Sequence, residues 1–261
     1  MTNQIELLFL GTGTILPSPR RSCSATLLRT HKERILVDAG AGTLLRLREN
    51  HIHPLELTYI FFTHYHPDHV SDLVPILFCL RNCSWEENEG HRLRIWGPRG
   101  LLNHLRGLEQ AYGRWLQNSG EEVKFYELKR RLLDFPGFRL IWGKVIHKNE
   151  SVGYRFEIAG RVICFSGDSG YCQELIRLCN QADLAVLECS HPDEHAVEGH
   201  LSPSLAGKIA EAAGVKKLIL NHFYPDAERS NLVEVASKFY SGEIVLAEDG
   251  MKVSLPVPAT A

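Results

Sequence analysis

Tyr59-Ile60-Phe61-Phe62 runs directly into Thr63-His64-Tyr65-His66-Pro67-Asp68-His69. The apolar, aromatic run reads as a buried β-strand. Four ligand-type side chains, His64, His66, Asp68 and His69, follow within six residues. Side chains alternate in extended backbone, so His64 and His66 fall on one side of the chain. Pro67 then turns the backbone, which lets Asp68 and His69 point at a neighbouring place. Imidazole and carboxylate suit Zn²⁺, Mn²⁺ or Fe²⁺. A lone His at a strand end reads as a hydrogen-bonded core residue. Four such groups together would leave several buried polar atoms needing partners, so a metal is the better reading.

Three later segments end apolar strands in the same way. Val145-Ile146 leads to His147, and Leu218-Ile219-Leu220-Asn221 leads to His222. Cys164-Phe165-Ser166-Gly167-Asp168-Ser169-Gly170 places Asp168 at the apex of a glycine-flanked turn. Any one of these alone is a capped turn or a satisfied core histidine. With the first cluster they extend the metal reading, because α/β sheets build sites at strand ends.

Around these segments the β-rich runs are Ile5–Leu10, Ala25–Arg29, Ile35–Asp38, Leu57–Thr63, Leu93–Trp96, Val123–Leu128 and Phe138–Ile146. They continue with Val152–Ile158, Arg161–Ser166, Leu184–Glu188, Lys217–Asn221, Glu243–Leu246 and Met251–Leu255. Helical spacing marks Gly100–Gln117, Ser202–Ala213 and about Arg229–Tyr240. Ser202 is the expected N-cap of the second, Pro203 its first residue and Gly214 its stop. The pattern predicts a layered α/β domain and leaves open whether the strands form one sheet or two.

Composition narrows the function. The chain has 261 residues, 44% hydrophobic and 23% charged, which argues against disorder. Twenty-nine basic against 31 acidic residues give a net charge of −2, so there is no basic sheath for bulk nucleic-acid binding. A local patch, Lys129-Arg130-Arg131, remains. The longest apolar runs, such as Leu73–Leu80, are too short to span a bilayer. The opening MTNQIELLFLG has no basic region or cleavage site, and the seven Cys lack metal-finger spacing, so a cytoplasmic protein with reduced thiols is expected. Thirteen His is the skewed count. Gly11-Thr12-Gly13 lacks the GK and third glycine of nucleotide loops, and the Ser166–Gly170 stretch is no nucleophile elbow.

His64-x-His66-x-Asp68-His69 resembles the HxHxDH signature of the metallo-β-lactamase superfamily, and His147, Asp168 and His222 follow in the order of its later ligands. Phe9-Leu10-Gly11-Thr12-Gly13, Leu36-Val37-Asp38-Ala39-Gly40-Ala41-Gly42-Thr43, Trp96-Gly97-Pro98-Arg99-Gly100 and Glu198-Gly199-His200 resemble the ribonuclease Z-like and small phosphodiesterase branch. The resemblance spans roughly residues 5–255. It implies an α/β fold, a four-layer αββα sandwich, as a single domain over residues 1–261. It also implies one metal held by His64, His66 and His147, a second by Asp68, His69 and His222, and Asp168 shared between them. Zn is the expected ion, with Mn or Fe as alternatives. A metal-bridging hydroxide would attack phosphorus, with Asp68 orienting it and His200 giving the leaving group its proton. Glu188, which closes a strand, is read as support for a ligand.

Two departures bear on the substrate. The tRNA-processing members carry a long arm between the ligands matched by His147 and Asp168, where this chain has only twenty residues. Ala41 stands where those enzymes usually carry an acidic residue. The expectation is therefore a phosphodiesterase acting on a small or cyclic phosphodiester. The alternatives are a ribonuclease Z-type tRNA 3′-processing endonuclease, a thioester, lactone or sulfate-ester hydrolase, and a non-catalytic metal-binding member. A homodimer is considered, and no membrane is expected. His31, His51, His53, His91 and His104 receive no role, and His191 and His195 are read as loop residues ahead of His200.

Overall fold

The computed structural model describes residues 4–83, 92–117 and 123–258. His91 lies outside them. The strands form two seven-stranded sheets. The first is built from β1 (Gln4–Gly11), β2 (Ala25–Arg29), β3 (Arg34–Val37), β4 (Tyr59–Phe61), β5 (Leu93–Gly97), β6 (Val123–Glu127) and β14 (Lys252–Pro256), in the order β14-β1-β2-β3-β4-β5-β6. The second is built from β7 (Leu132–Phe135), β8 (Phe138–Lys144), β9 (Val152–Ile158), β10 (Arg161–Phe165), β11 (Leu184–Glu188), β12 (Lys217–Asn221) and β13 (Glu243–Leu246), in the order β13-β12-β11-β10-β9-β8-β7. Each sheet is antiparallel in one half and parallel in the other.

Residue alternation sets the layers. Ile5, Leu7, Phe9, Val37, Tyr59 and Phe61 turn inward and join the second sheet's Phe138, Leu140, Tyr154 and Phe156 in one core. Their neighbours Leu8, Leu10, Leu36, Ile60 and Phe62 turn outward. There they meet Leu47 of α1 (Thr43–Glu49), Leu73, Ile76 and Leu77 of α3 (Leu73–Asn82), Leu101 of α4 (Leu101–Tyr112) and Leu116 of α5 (Arg114–Gln117). The short α2 (Pro67–Val70) lies between α1 and α3 in sequence. On the other side, α6 (Gln173–Cys179), α7 (Pro203–Ala213) and α8 (Leu232–Ser237) cover the second sheet through residues such as Leu175, Ile209 and Ala236. The αββα expectation holds. The inner seam is aromatic: Phe61 packs edge-on against Tyr154 and Phe156 at 5.8 and 5.5 Å. Burying Phe61 completely is worth about 1.5–3 kcal/mol.

Several local expectations need correction. The Gly100–Gln117 helix is two helices, broken at Gly113. The last predicted helix shrinks to α8, capped by the Asn231 side chain accepting from the Glu234 N–H at 3.3 Å. The Ser202 side chain does not cap α7; the Ser204 N–H instead donates to Asp193 Oδ1 at 3.2 Å. Asp72 reaches back to α1, accepting from the Gly42 and Leu44 N–H groups. No described helix is long and apolar enough to cross a membrane.

Candidate metal centre

The C-terminal ends of the parallel strands open at one edge of the sandwich, and the candidate residues leave from them. Asp38 follows β3, His64 follows β4, Asp168 follows β10, Glu188 ends β11 and His222 follows β12. Asp38 and His222 adopt left-handed backbone, φ 59° and 60°, turning the chain sharply after each strand. Pro67 is the first residue of α2, with His66 as its extended N-cap, so the proline converts strand into helix and places Asp68 and His69 one turn on. Gly167 has φ +57°, and a Cβ there would stand 2.7 Å from Thr63 Cβ. Only glycine lets the Asp168 turn approach the His64 strand this closely.

The seven expected residues fall into two adjoining groups. His64, His66, His147 and Asp168 present ligand atoms within 4.8 Å of one another, as do Asp68, His69 and His222. Asp168 straddles them. Its Oδ1 lies 3.2 Å from His69 Nε2 and 3.5 Å from His222 Nε2, while its Oδ2 lies 3.7 Å from His64 Nε2 and 3.9 Å from His147 Nε2. His69 Nε2 and His222 Nε2 are 3.2 Å apart, and His222 Nε2 is 3.3 Å from Asp68 Oδ2.

Hydrogen bonds on the far side of the rings decide which nitrogens face inward as lone pairs. Thr63 donates its hydroxyl to Asp38 Oδ2 at 2.9 Å, so at 3.0 Å it accepts from His64 Nδ1–H. His69 Nδ1–H donates to Asp38 Oδ2 at 2.8 Å, and His147 Nδ1–H to the Gly199 carbonyl at 3.1 Å. Ser190 donates to Glu188 and therefore accepts from His222 Nδ1–H at 3.1 Å. Four imidazoles thus keep a bare Nε2 turned toward the carboxylates. His64 Nε2 and Asp168 Oδ1 are buried with no hydrogen-bond partner. Facing lone pairs and carboxylate oxygens repel unless a cation sits between them, so this donor set fits divalent metal.

The electrostatics agree. Burial opposes ionisation of Asp68, yet its hydrogen bond to His222 and the charges of His69 and His222 hold the carboxyl at about 2. Burial likewise opposes ionisation of Asp168, which His222 and His69 pull well below the carboxylate range. Burial pushes His64 well below the imidazole range and His147 to about 4, keeping both neutral. His69 and His222 go the other way: burial disfavours their charged forms, but Asp168 with Asp38 raises His69 well above the imidazole range and Asp168 with Asp68 raises His222, so the carboxylates call for positive charge in their midst.

His200 stands beside this centre, its ring 4.7 Å from that of His147. Its partner is Glu188, with Nδ1 at 3.0 and 3.2 Å from the two carboxylate oxygens. Burial disfavours the imidazolium, but Glu188 outweighs it and raises His200 above its ordinary value. Glu188 also accepts from the Ser169 N–H at 2.6 Å. It therefore reaches a ligand-type histidine only through Ser190, while touching His200 directly.

Sequence reasoning missed Asp38, Thr63 and Ser190 as functional. An acidic residue ending the buried strand Leu36-Val37-Asp38 was the available signal for the first. His191 is tied down rather than solvated: it bonds Asp226 Oδ2 at 3.0 Å and stacks on Tyr224 at 4.5 Å. His195 is exposed, 3.4 Å from the same carboxylate. His53 caps a short 3₁₀ turn, and His104 stacks on Tyr65.

Comparison with known proteins matches this geometry. The beta-lactamase superfamily domain matches residues 33–223. A ribonuclease Z of Thermobifida fusca (strain YX) is 28% identical over 305 aligned positions, covering 96% of this chain and 95% of that protein. The probable metallo-hydrolase YhfI of Bacillus subtilis (strain 168) is 26% identical over 236 residues, covering 90% and 93%. The YhfI crystal structure superposes with a TM-score of 0.84 at 23% identity, covering 97% of this chain and 99% of that one. The short form of human tRNase Z does so with 0.76 at 27% identity, covering 97% and 100%. With its two mixed sheets and its His/Asp metal-binding cluster, the chain belongs to the metallo-β-lactamase superfamily of hydrolases.

Proposed function

We propose that the protein is a phosphodiesterase with two divalent metals, Zn being the expected ion, acting on a small or cyclic phosphodiester. The observation that carries this reading is the placement of Asp168, each of whose oxygens faces a different ligand group. His64, His66 and His147 would hold one ion, Asp68, His69 and His222 the other, with Asp168 between. When bound, such a pair supplies an activated water and stabilises charge on phosphoryl oxygens. The protein's own groups do the rest. Asp38, Thr63, Ser190 and the Gly199 carbonyl orient the imidazoles so that their lone pairs converge. Glu188 favours the protonated form of His200, whose other nitrogen would give its proton to the departing alkoxide. Asp68, kept anionic, accepts a hydrogen bond from the attacking water.

The segment between His147 and Asp168 supports the small-substrate reading. It is a β9–β10 hairpin joined by Ala159-Gly160, both at positive φ, as a two-residue turn requires. In that place the chain has this short hairpin rather than a long arm. The aligned length to the ribonuclease Z exceeds the 261 residues of this chain, so that relative carries segments with no counterpart here, whereas the YhfI alignment does not. Ribonuclease Z-type cleavage is the second reading, favoured by the 28% identity itself.

The test is turnover by metal-loaded protein of bis(p-nitrophenyl) phosphate, cyclic nucleotides and a tRNA precursor, with elemental analysis. Hydrolysis of the small diesters that is lost with chelator and restored by Zn²⁺ or Mn²⁺ supports the proposal. Specific 3′ cleavage of the precursor at higher kcat/KM would replace it with the second reading. No phosphodiester turnover by fully metallated protein would reject both.

A further inference from the structure

Three large apolar side chains stand out in solvent around the His147 side of the centre. Ile146, Tyr171 and Val197 are 53%, 44% and 46% exposed. Their segments are joined to one another. Ile146 precedes His147 and pairs with Gly170, whose N–H donates to the Ile146 carbonyl at 2.7 Å. A Cβ on Gly170 would meet Ile146 Cγ2 at 3.6 Å and Gly199 Cα at 3.5 Å. The Gly199 carbonyl holds His147, and the His200 N–H donates to the Val197 carbonyl at 3.1 Å. The segments that carry these apolar groups therefore adjoin the place where His147 and His200 stand side by side.

We infer that Ile146, Tyr171 and Val197 form a subsite for an apolar or aromatic alcohol moiety of the substrate, the one released beside His200. This rests on the phosphodiesterase reading and narrows it: the substrate joins phosphate to an alcohol with a substantial apolar face, not to a short polar one. The reason is position. A group that protonates the leaving oxygen must touch it, so whatever is attached to that oxygen lies against the neighbouring surface. That surface offers three exposed apolar side chains, with His191 and Tyr224 flanking the His200 ring at 6.4 and 6.5 Å, beside a charged centre, the combination expected of a small-ligand site in which polar groups orient and apolar walls bind.

The test uses two non-hydrolysable probes, 1-naphthylphosphonate and methylphosphonate, with binding to Zn²⁺-loaded protein followed by calorimetry. Wild type should prefer the naphthyl probe at least about tenfold, the factor given by covering some 50 Å² of apolar surface. In Tyr171→Ser/Val197→Ser that preference should drop below about threefold with metal content intact. KM for bis(p-nitrophenyl) phosphate should rise by a similar factor with kcat little changed. Equal binding of the two probes by wild type, or an unchanged preference in the variant, overturns the subsite even if diester turnover is present. Absent turnover with a clear naphthyl preference keeps the subsite and rejects the phosphodiesterase reading. If wild type shows no preference but is a dimer in solution that the variant breaks, the patch is a self-association face and the inference fails.

Discussion

The two halves of the candidate centre are built differently. Asp68, His69 and His222 are buried, and their outer contacts are side chains: Asp38 under His69, and Ser190 with Glu188 behind it under His222. In the other half His66 and His147 are only partly buried, and His147 hangs from a backbone carbonyl, Gly199 O. The closed half is a pre-set cage in low dielectric. The open half faces solvent, His200 and the apolar rim. Preorganisation belongs to the first and substrate access to the second, which is how a site combines fixed ligands with an approachable reaction centre.

The largest effect should come from the residue both halves share. Asp168→Asn removes the charge that would offset two adjacent cations in the proposed centre. Turnover should fall by more than about 100-fold, the upper end of what loss of an outer partner costs, and metal content should drop in both halves. Elemental analysis beside kcat checks it; retention of one full metal equivalent with normal affinity would show that the halves are independent. Next, Asp38→Asn acts on the closed half directly, through His69, and on the open half only through Thr63 and His64. An amide that faces His69 with its N–H₂ forces the ring's proton onto Nε2, so metal affinity should weaken about 10–100-fold. Competition with a chromogenic chelator measures it.

Glu188→Gln probes the link to the open half. Glu188 raises His200, so the proton needed by the leaving group persists to higher pH than for an ordinary imidazole. Activity that depends on this proton falls as pH rises through the raised value. The Gln variant should therefore lose kcat by about 10–100-fold, and its alkaline limb should move to lower pH. An unshifted limb would remove His200 from that role. The smallest effect is expected from Gly199→Ala. Gly199 has φ +84°, and an added Cβ would lie 3.4 Å from His147 Nδ1. Backbone strain of about 1 kcal/mol should appear in chemical denaturation, with a several-fold rise in KM.

The sequence carried the fold class and the site unevenly. Long alternating or fully apolar runs gave thirteen of the strands, because sheet burial repeats over a few consecutive residues. The strand Leu132–Phe135 was not legible: it is a short edge strand behind Lys129-Arg130-Arg131, with half its side chains exposed. Helices α1, α2, α3 and α6 were missed. Leu73–Leu80 was read only as a run too short to span a bilayer, and its Pro75 sits in the first turn of α3, where proline is tolerated. The seven ligand-type residues were readable because each lies just beyond an apolar strand, and a polar group there demands a partner.

Residue type and order along the chain thus marked the candidate ligands and the chemistry they suit, since both follow from local burial and ligand preference. Only the tertiary structure decided that Asp38 holds His69 from 31 positions away, that His222 meets His69 from 153, and that Glu188 serves His200 directly. Those contacts depend on which strands lie side by side and on the positive-φ turns that end them. Chain packing sets both, and no local pattern encodes them.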